Sequence, residues 1–181
     1  MLRLRKKYVF LDIDGVLNDD NTTEKSPTGF TGIDDTLLQN LKDLIEETKA
    51  EIVLTSTWKE VIWPRPNRDG KYALKKFRSV GLELNQFTLD IGDGWTRGEG
   101  IARFLLDYPC DSFVIIDDIQ FHDFQTFDLL DYFVQTGTKC RESNSLHEWI
   151  GFTKEEAKIA KKILNKSAES WYKKFRKQKD N

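Results

Sequence analysis

With 181 residues the chain suits one domain with a substantial buried core and is short for two. Hydrophobic residues at 39% and aromatics at 12% exclude a disordered chain, while 32% charged residues call for a well-solvated surface. The formal charge of -2 conceals an asymmetry: residues 153–181 hold ten Lys/Arg against four Asp/Glu, net +6, which leaves -8 on residues 1–152.

The apolar runs, such as Phe113 to Ile116, are far too short to cross a bilayer. The opening MLRLRKKYVF is basic and then apolar, but it meets Asp12 and Asp14 at once, so it does not make the core of a secretory signal. A cytoplasmic protein is expected. Along the chain, apolar runs of a few residues alternate with helix-like stretches, the rhythm of a parallel sheet with crossover helices. The first strand is predicted at Tyr8-Val9-Phe10-Leu11, continuous rather than alternating, as in a strand buried on both faces. A polar, turn-rich stretch from Asn18 to Gly32 precedes a helix over Ile33 to Lys49, where Leu37, Leu38, Leu41, Leu44 and Ile45 keep helical spacing.

The second strand is Glu51 to Leu54, ending at Thr55-Ser56, and a helix over Lys71 to Val80 stops at Gly81. Leu84 to Trp95 reads as a short strand or extended loop, and Thr96 as the cap of a helix from Arg97 to Tyr108, closed by Pro109. Ser112 to Ile116 is a further buried strand ending at Asp117-Asp118, and Tyr132-Phe133-Val134 a last short one. From Thr153 to Lys177, Ala157, Ala160, Ile163, Leu164, Ala168, Trp171 and Phe175 fall on one face, which predicts one long basic amphipathic helix (residues 153–181) on or extending from a domain of residues 1–152.

Three polar clusters thus stand at the C-terminal ends of predicted buried strands: Asp12-Ile13-Asp14-Gly15, Thr55-Ser56 and Asp117-Asp118. In open parallel sheets that edge is where ligands bind. Carboxylates converging there raise one another's pKa and need a cation. Oxygen donors without His or Cys suit a hard ion that keeps its waters, so Mg²⁺ is expected rather than zinc.

The strings YVFLDIDGVLN, IVLTS and FVIIDD, with Arg97 opening a helix ahead of the last, resemble the four motifs of the haloacid dehalogenase (HAD) superfamily in their family order. Within it, DGVLN, TSTW, RGEGIARFLL and VIIDD are similar to the HAD domain of multi-domain RNA repair proteins. The resemblance implies an α/β, three-layer Rossmann-like fold, its mainly parallel sheet covered by helices on both faces. It also implies a phosphatase in which Asp12 is the nucleophile that becomes aspartyl-phosphate and Asp14 is general acid and then base. Asp12, the Asp14 carbonyl and Asp118 would hold Mg²⁺, with Asp117 auxiliary. Thr55, or Ser56 in its place, would bind a phosphoryl oxygen. Arg97 would neutralise the transferring group where the family more often has Lys, with Lys71, Lys75 and Lys76 as substitutes. Backbone N–H groups at Ile13 and Gly15 would face the anion, Gly15 also allowing a sharp turn. Phosphoryl transfer spreads negative charge over non-bridging oxygens, so cations and donors fixed beforehand carry most of the catalysis.

Plainer readings stand beside these. His122 and His147 are read as structural, Cys110 and Cys140 as packing residues without metal spacing. Trp58, Trp63 and Trp95 suit core packing first and stacking on a base or sugar second. The gaps at Asn18 to Ile33 and Leu82 to Thr96 are too short to fold as a cap domain, so an open site shielded by a flap is expected. Such a site suits a large phosphorylated substrate, an RNA or DNA end or a phosphoprotein, or a nucleotide, in a monomer or weak homodimer. The alternatives are a non-catalytic metal- or phosphate-binding module and a nucleic-acid-binding module that uses the basic helix. A receiver-like signalling domain has its acidic pair near the N-terminus and its Lys last, an order reversed here.

Overall fold

The computed structural model describes residues 6–89, 96–137 and 149–179, with side chains as far as 175. Tyr8 to Leu11 are fully buried, as a continuous apolar run requires, and form β1 (Lys7–Leu11) at the centre of a five-stranded sheet. Its neighbours are β2 (Glu51–Leu54) on one side and β4 (Ser112–Asp117) on the other; β3 (Gln86–Phe87) and β5 (Phe133–Gln135) form the edges. All pairings are parallel, in the order β3-β2-β1-β4-β5. The chain moves outward from β1 to β3 and then returns to the far side of β1 at β4. The carboxyl ends of β1 and β4 therefore flank the point where strand order reverses, the crevice that parallel sheets offer to ligands.

α1 (Asp35–Thr48) begins where Asp34 accepts hydrogen bonds from the Thr36 and Leu37 N–H groups at 2.8 and 3.0 Å, and ends at Lys49 in the left-handed conformation. A short α2 (Trp58–Ile62), not among the expected elements, follows β2, and α3 (Arg68–Ser79) starts three residues before the expected Lys71 because Asn67 caps the Gly70 N–H. Gly70 is required by packing: a Cβ there would lie 2.0 Å from the Val61 carbonyl oxygen of α2. α4 (Gly98–Asp107) and α5 (Asp123–Thr126) complete the body of the domain.

Helices cover both faces. Tyr8 and Phe10 meet Phe104 of α4 edge-on at 5.3 and 5.6 Å between centroids, while α6 (Lys154–Leu164) packs beside α1. The expected single C-terminal helix is two: α6 stops at Asn165, and α7 (Glu169–Lys179) restarts after Ser167, whose hydroxyl accepts from the Glu169 N–H at 3.2 Å. The break lets the chain pass to the α4 side of the sheet. There Trp171 stands edge-on to Phe113 at 5.7 Å and donates to the Phe127 carbonyl, and the Tyr172 hydroxyl reaches the Leu105 carbonyl. The apolar stripe was legible, but a continuous helix would leave Trp171 without its pocket, and burying such a ring is worth about 1.5–3 kcal/mol. Tyr172 also receives the Cys110 N–H, and burial pushes the Cys110 thiol up to about 12. Cys140 and His147 lie outside the described residues.

Residues 18–32 form a flap rather than a domain. A bridge between Lys25 and Thr31 closes a tight turn through Gly29, at φ 99°. α3 pins this turn: Asp69 accepts from the Thr28 hydroxyl at 2.6 Å, Tyr72 donates to Glu24 at 2.7 Å, and Lys76 pairs with Glu24 and Asp35 at 2.6 Å. Lys76 is thereby committed to the flap. Among the described residues no helix is long and apolar enough to cross a membrane.

Candidate active site

Asp12 follows β1 directly, held by its N–H to the Ile116 carbonyl of β4 at 3.0 Å, and Thr55 follows β2, held by its N–H to the Leu11 carbonyl at 2.8 Å. The sheet's hydrogen bonding therefore fixes these side chains at one edge. Asp12, Asp117 and Asp118 each offer an oxygen within 4.8 Å of the others. Arg97 lies against them, its Nη1 3.1 Å from Asp12 Oδ2 and hydrogen-bonded to Asp117 Oδ2, with its guanidinium 4.5 Å from the centroid of the Phe121 ring. Burial works against the Arg97 charge, but Asp12 and Asp117 outweigh it and hold its pKa above the ordinary value.

Asp117 is fully buried. Burial first, and the Asp12 charge second, push both Asp117 and Asp118 well above the usual carboxylate range. A single guanidinium does not balance three carboxylates. Their all-oxygen donor set fits Mg²⁺ or another hard cation.

Thr55 is 1% exposed and its Oγ1 has no hydrogen-bond partner, an uncommon state for a buried hydroxyl and one that a ligand oxygen at this edge would relieve. Ser56 is used locally, its Oγ accepting the Trp58 N–H at 3.3 Å. Gly15 has φ 70°, and a Cβ there would sit 2.5 Å from Asp118 Oδ2, so only glycine lets the turn after β1 pass the acidic pair. The Ile13 side chain is buried in the core and its carbonyl accepts from Val16 and Leu17, which closes that turn.

Asp14 stands apart from the three clustered carboxylates. Its Oδ2 accepts from the Trp58 indole at 3.0 Å and its Oδ1 from the Asn18 amide at 2.9 Å, while Asn18 Oδ1 accepts the Gly15 N–H. Trp58 is buried, as expected for packing, but its N–H points at a site residue. Trp63, expected in the core, is 64% exposed at the extended residue that ends α2, and Trp95 lies outside the described residues.

Sequence reasoning missed several supports. Lys59 is buried with its Nζ 3.4 Å from the Thr55 carbonyl; it stands one helical turn after Thr55, a spacing that makes the pairing readable in retrospect. The expected Thr96 cap is replaced by Asp123, whose carboxylate takes the Arg97 and Glu99 N–H groups at 3.3 and 3.0 Å and so sets where Arg97 enters the site. Gln135 and Thr136, at the end of β5, hold the Asp118 and Gly15 carbonyls. His122 is exposed at the start of α5, and the described structure gives it no place in the cluster.

Residues 8–140 match the family model described as the HAD domain in Swiss Army Knife RNA repair proteins. No curated protein and no solved structure matches the chain. The match spans most of the chain and every strand of the sheet, so the protein belongs to this family of HAD domains.

Proposed function

We propose that the protein is a Mg²⁺-dependent phosphomonoesterase that works through an aspartyl-phosphate, acting on a phosphorylated nucleic-acid end or a nucleotide. One observation carries the reading: Asp12, Asp117 and Asp118 converge at the carboxyl ends of β1 and β4, with Arg97 bound between Asp12 and Asp117. The family's description as part of RNA repair proteins favours a nucleic-acid terminus as substrate.

In this reading a carboxylate oxygen of Asp12 attacks phosphorus and the bond to the leaving oxygen breaks. Asp14, oriented by Trp58 and Asn18, gives that oxygen its proton. Asp14 then takes a proton from water as the water oxygen attacks the phosphorus of the aspartyl-phosphate, which frees inorganic phosphate and restores Asp12. Arg97 and the Thr55 hydroxyl stabilise the non-bridging oxygens, whose charge shifts during transfer. Asp12, Asp118, Asp117 and the Asp14 carbonyl would hold Mg²⁺, which supplies charge neutralisation for the transferring group.

The test is release of phosphate from p-nitrophenyl phosphate, nucleotides and 5′- or 3′-phosphorylated oligonucleotides, with Mg²⁺ or EDTA, by wild type and Asp12→Asn. Activity that needs Mg²⁺ and disappears in Asp12→Asn is expected. Equal activity in the variant rejects the nucleophile, and no turnover of any phosphoester leaves a metal-binding module.

A further inference from the structure

A cavity of about 500 Å³, within the range of small-ligand pockets, opens between the flap and α2. Asp14, two residues after Asp12, is the site residue on its wall. Because the group protonated by Asp14 is the leaving oxygen, whatever that oxygen belongs to must lie on this side. The walls describe its chemistry. Phe30, Trp58 and Val61 supply apolar surface, and Asp14, Glu60 and Asp69 supply carboxylates. Among the described residues no Lys or Arg lines the cavity, so a second phosphate entering it would meet only negative charge. An uncharged group with a flat ring and several N–H or O–H donors fits.

Phe30 occupies its place by construction. Its ring is 62% exposed at the tip of the flap, and its carbonyl accepts the Ser26 N–H at 2.9 Å. The same turn is fastened to α3 through Thr28 and Asp69, which sets the backbone that carries the ring at the cavity. An exposed aromatic face suits stacking on a base, and carboxylates suit its amino groups and the sugar hydroxyls.

We propose that this cavity is the leaving-group subsite and receives the nucleoside of a phosphorylated terminal nucleotide, its base against Phe30 and its donors toward Glu60. The proposal rests on the phosphatase reading for the chemistry, but nucleoside binding can be measured without it. Two measurements test it, each on wild type, Phe30→Ala and Glu60→Gln. The first is calorimetric binding of guanosine, a probe rich in N–H donors, in EDTA. Saturable binding that weakens about tenfold in Phe30→Ala is expected, in line with the worth of a base–aromatic stack. The second is kcat/KM with Mg²⁺ for guanosine 3′- and 5′-monophosphate relative to acetyl phosphate and phosphotyrosine. A preference for one of the nucleotides, reduced about tenfold in Phe30→Ala, is expected. Loss in Glu60→Gln is expected to be smaller, since an amide oxygen still accepts.

Absence of guanosine binding by wild type overturns the subsite, as does a preference for phosphotyrosine or a nucleotide preference that Phe30→Ala leaves intact. Turnover without nucleotide preference refutes the subsite and leaves the phosphatase reading standing. Guanosine binding that depends on Phe30, without turnover of any phosphoester, supports the subsite and refutes the phosphatase reading.

Discussion

The indole N–H of Trp58 donates to Oδ2 of Asp14 at 3.0 Å, so a core residue of α2 fixes a carboxylate that follows β1. Indole offers a donor and no acceptor, and the contact can only orient the carboxylate or favour its charge. Trp58→Phe keeps an aromatic ring in the core and removes this donor. A fall in kcat of about tenfold is expected, with KM nearly unchanged, on the scale of a hydrogen bond to a charged group. A matched fall in thermal stability with unaltered kcat would instead make Trp58 a packing residue.

Arg97 offsets two buried carboxylates, and its removal leaves Asp12 and Asp117 facing each other across the gap. Arg97→Ala is expected to cost about 3–5 kcal/mol of folding stability without metal, the scale for breaking a buried ion pair. Saturating Mg²⁺ is expected to restore more stability to the variant than it adds to wild type. Urea unfolding with EDTA and with Mg²⁺ measures both effects, and equal metal increments would separate Arg97 from the cation site.

Gly15→Ala places a Cβ 2.5 Å from Asp118 Oδ2 and puts an L side chain at φ 70°. A loss of about 1–3 kcal/mol is expected from the strained backbone alone. Displacement of Asp118 is expected to weaken Mg²⁺ binding as well, at least tenfold by calorimetry, about 1.4 kcal/mol. Unchanged metal affinity would place Asp118 outside the ligand set.

Alkaline titration reports on one buried phenol, Tyr8, and two half-buried ones, Tyr72 and Tyr172. Burial raises the pKa of Tyr8, Tyr72 and Tyr172, to about 12 for Tyr72, with Glu24 adding to the effect there. Between pH 10 and 12 the unfolded chain has lost the Tyr72 proton while the folded protein keeps it. The folded state then binds more protons, and stability falls as pH rises through that window. Phenolate absorbance of the native protein is expected to develop at higher pH than that of the urea-unfolded chain. Coincident curves would mean that these hydroxyls are open to water.

The strands and the order of the acidic, hydroxyl and basic positions were legible because each rests on a local rule. Four consecutive apolar residues make β1 a central strand, and the polar residue that ends such a run must emerge at the sheet's edge, which located Asp12, Thr55 and Asp117. Of the apolar stripe of the C-terminal segment, Ala160, Ile163, Leu164, Ala168 and Trp171 are buried and Ala157 and Phe175 half-buried, since helical periodicity records burial whether or not the helix is continuous.

Only the tertiary structure decided which residues serve these positions. The break at Asn165 depends on a pocket for Trp171 beside Phe113, and the cap of α4 comes from Asp123, across a gap in sequence that no local pattern bridges. The Trp58 bond to Asp14, the Phe121 ring beside Arg97 and the Thr28 tie to Asp69 likewise join separate segments. Burial pattern is a property of one element at a time and can be read along the chain. Hydrogen bonds and charge pairs between elements depend on side-chain positions to a fraction of an ångström, which packing fixes only when the sheet has formed.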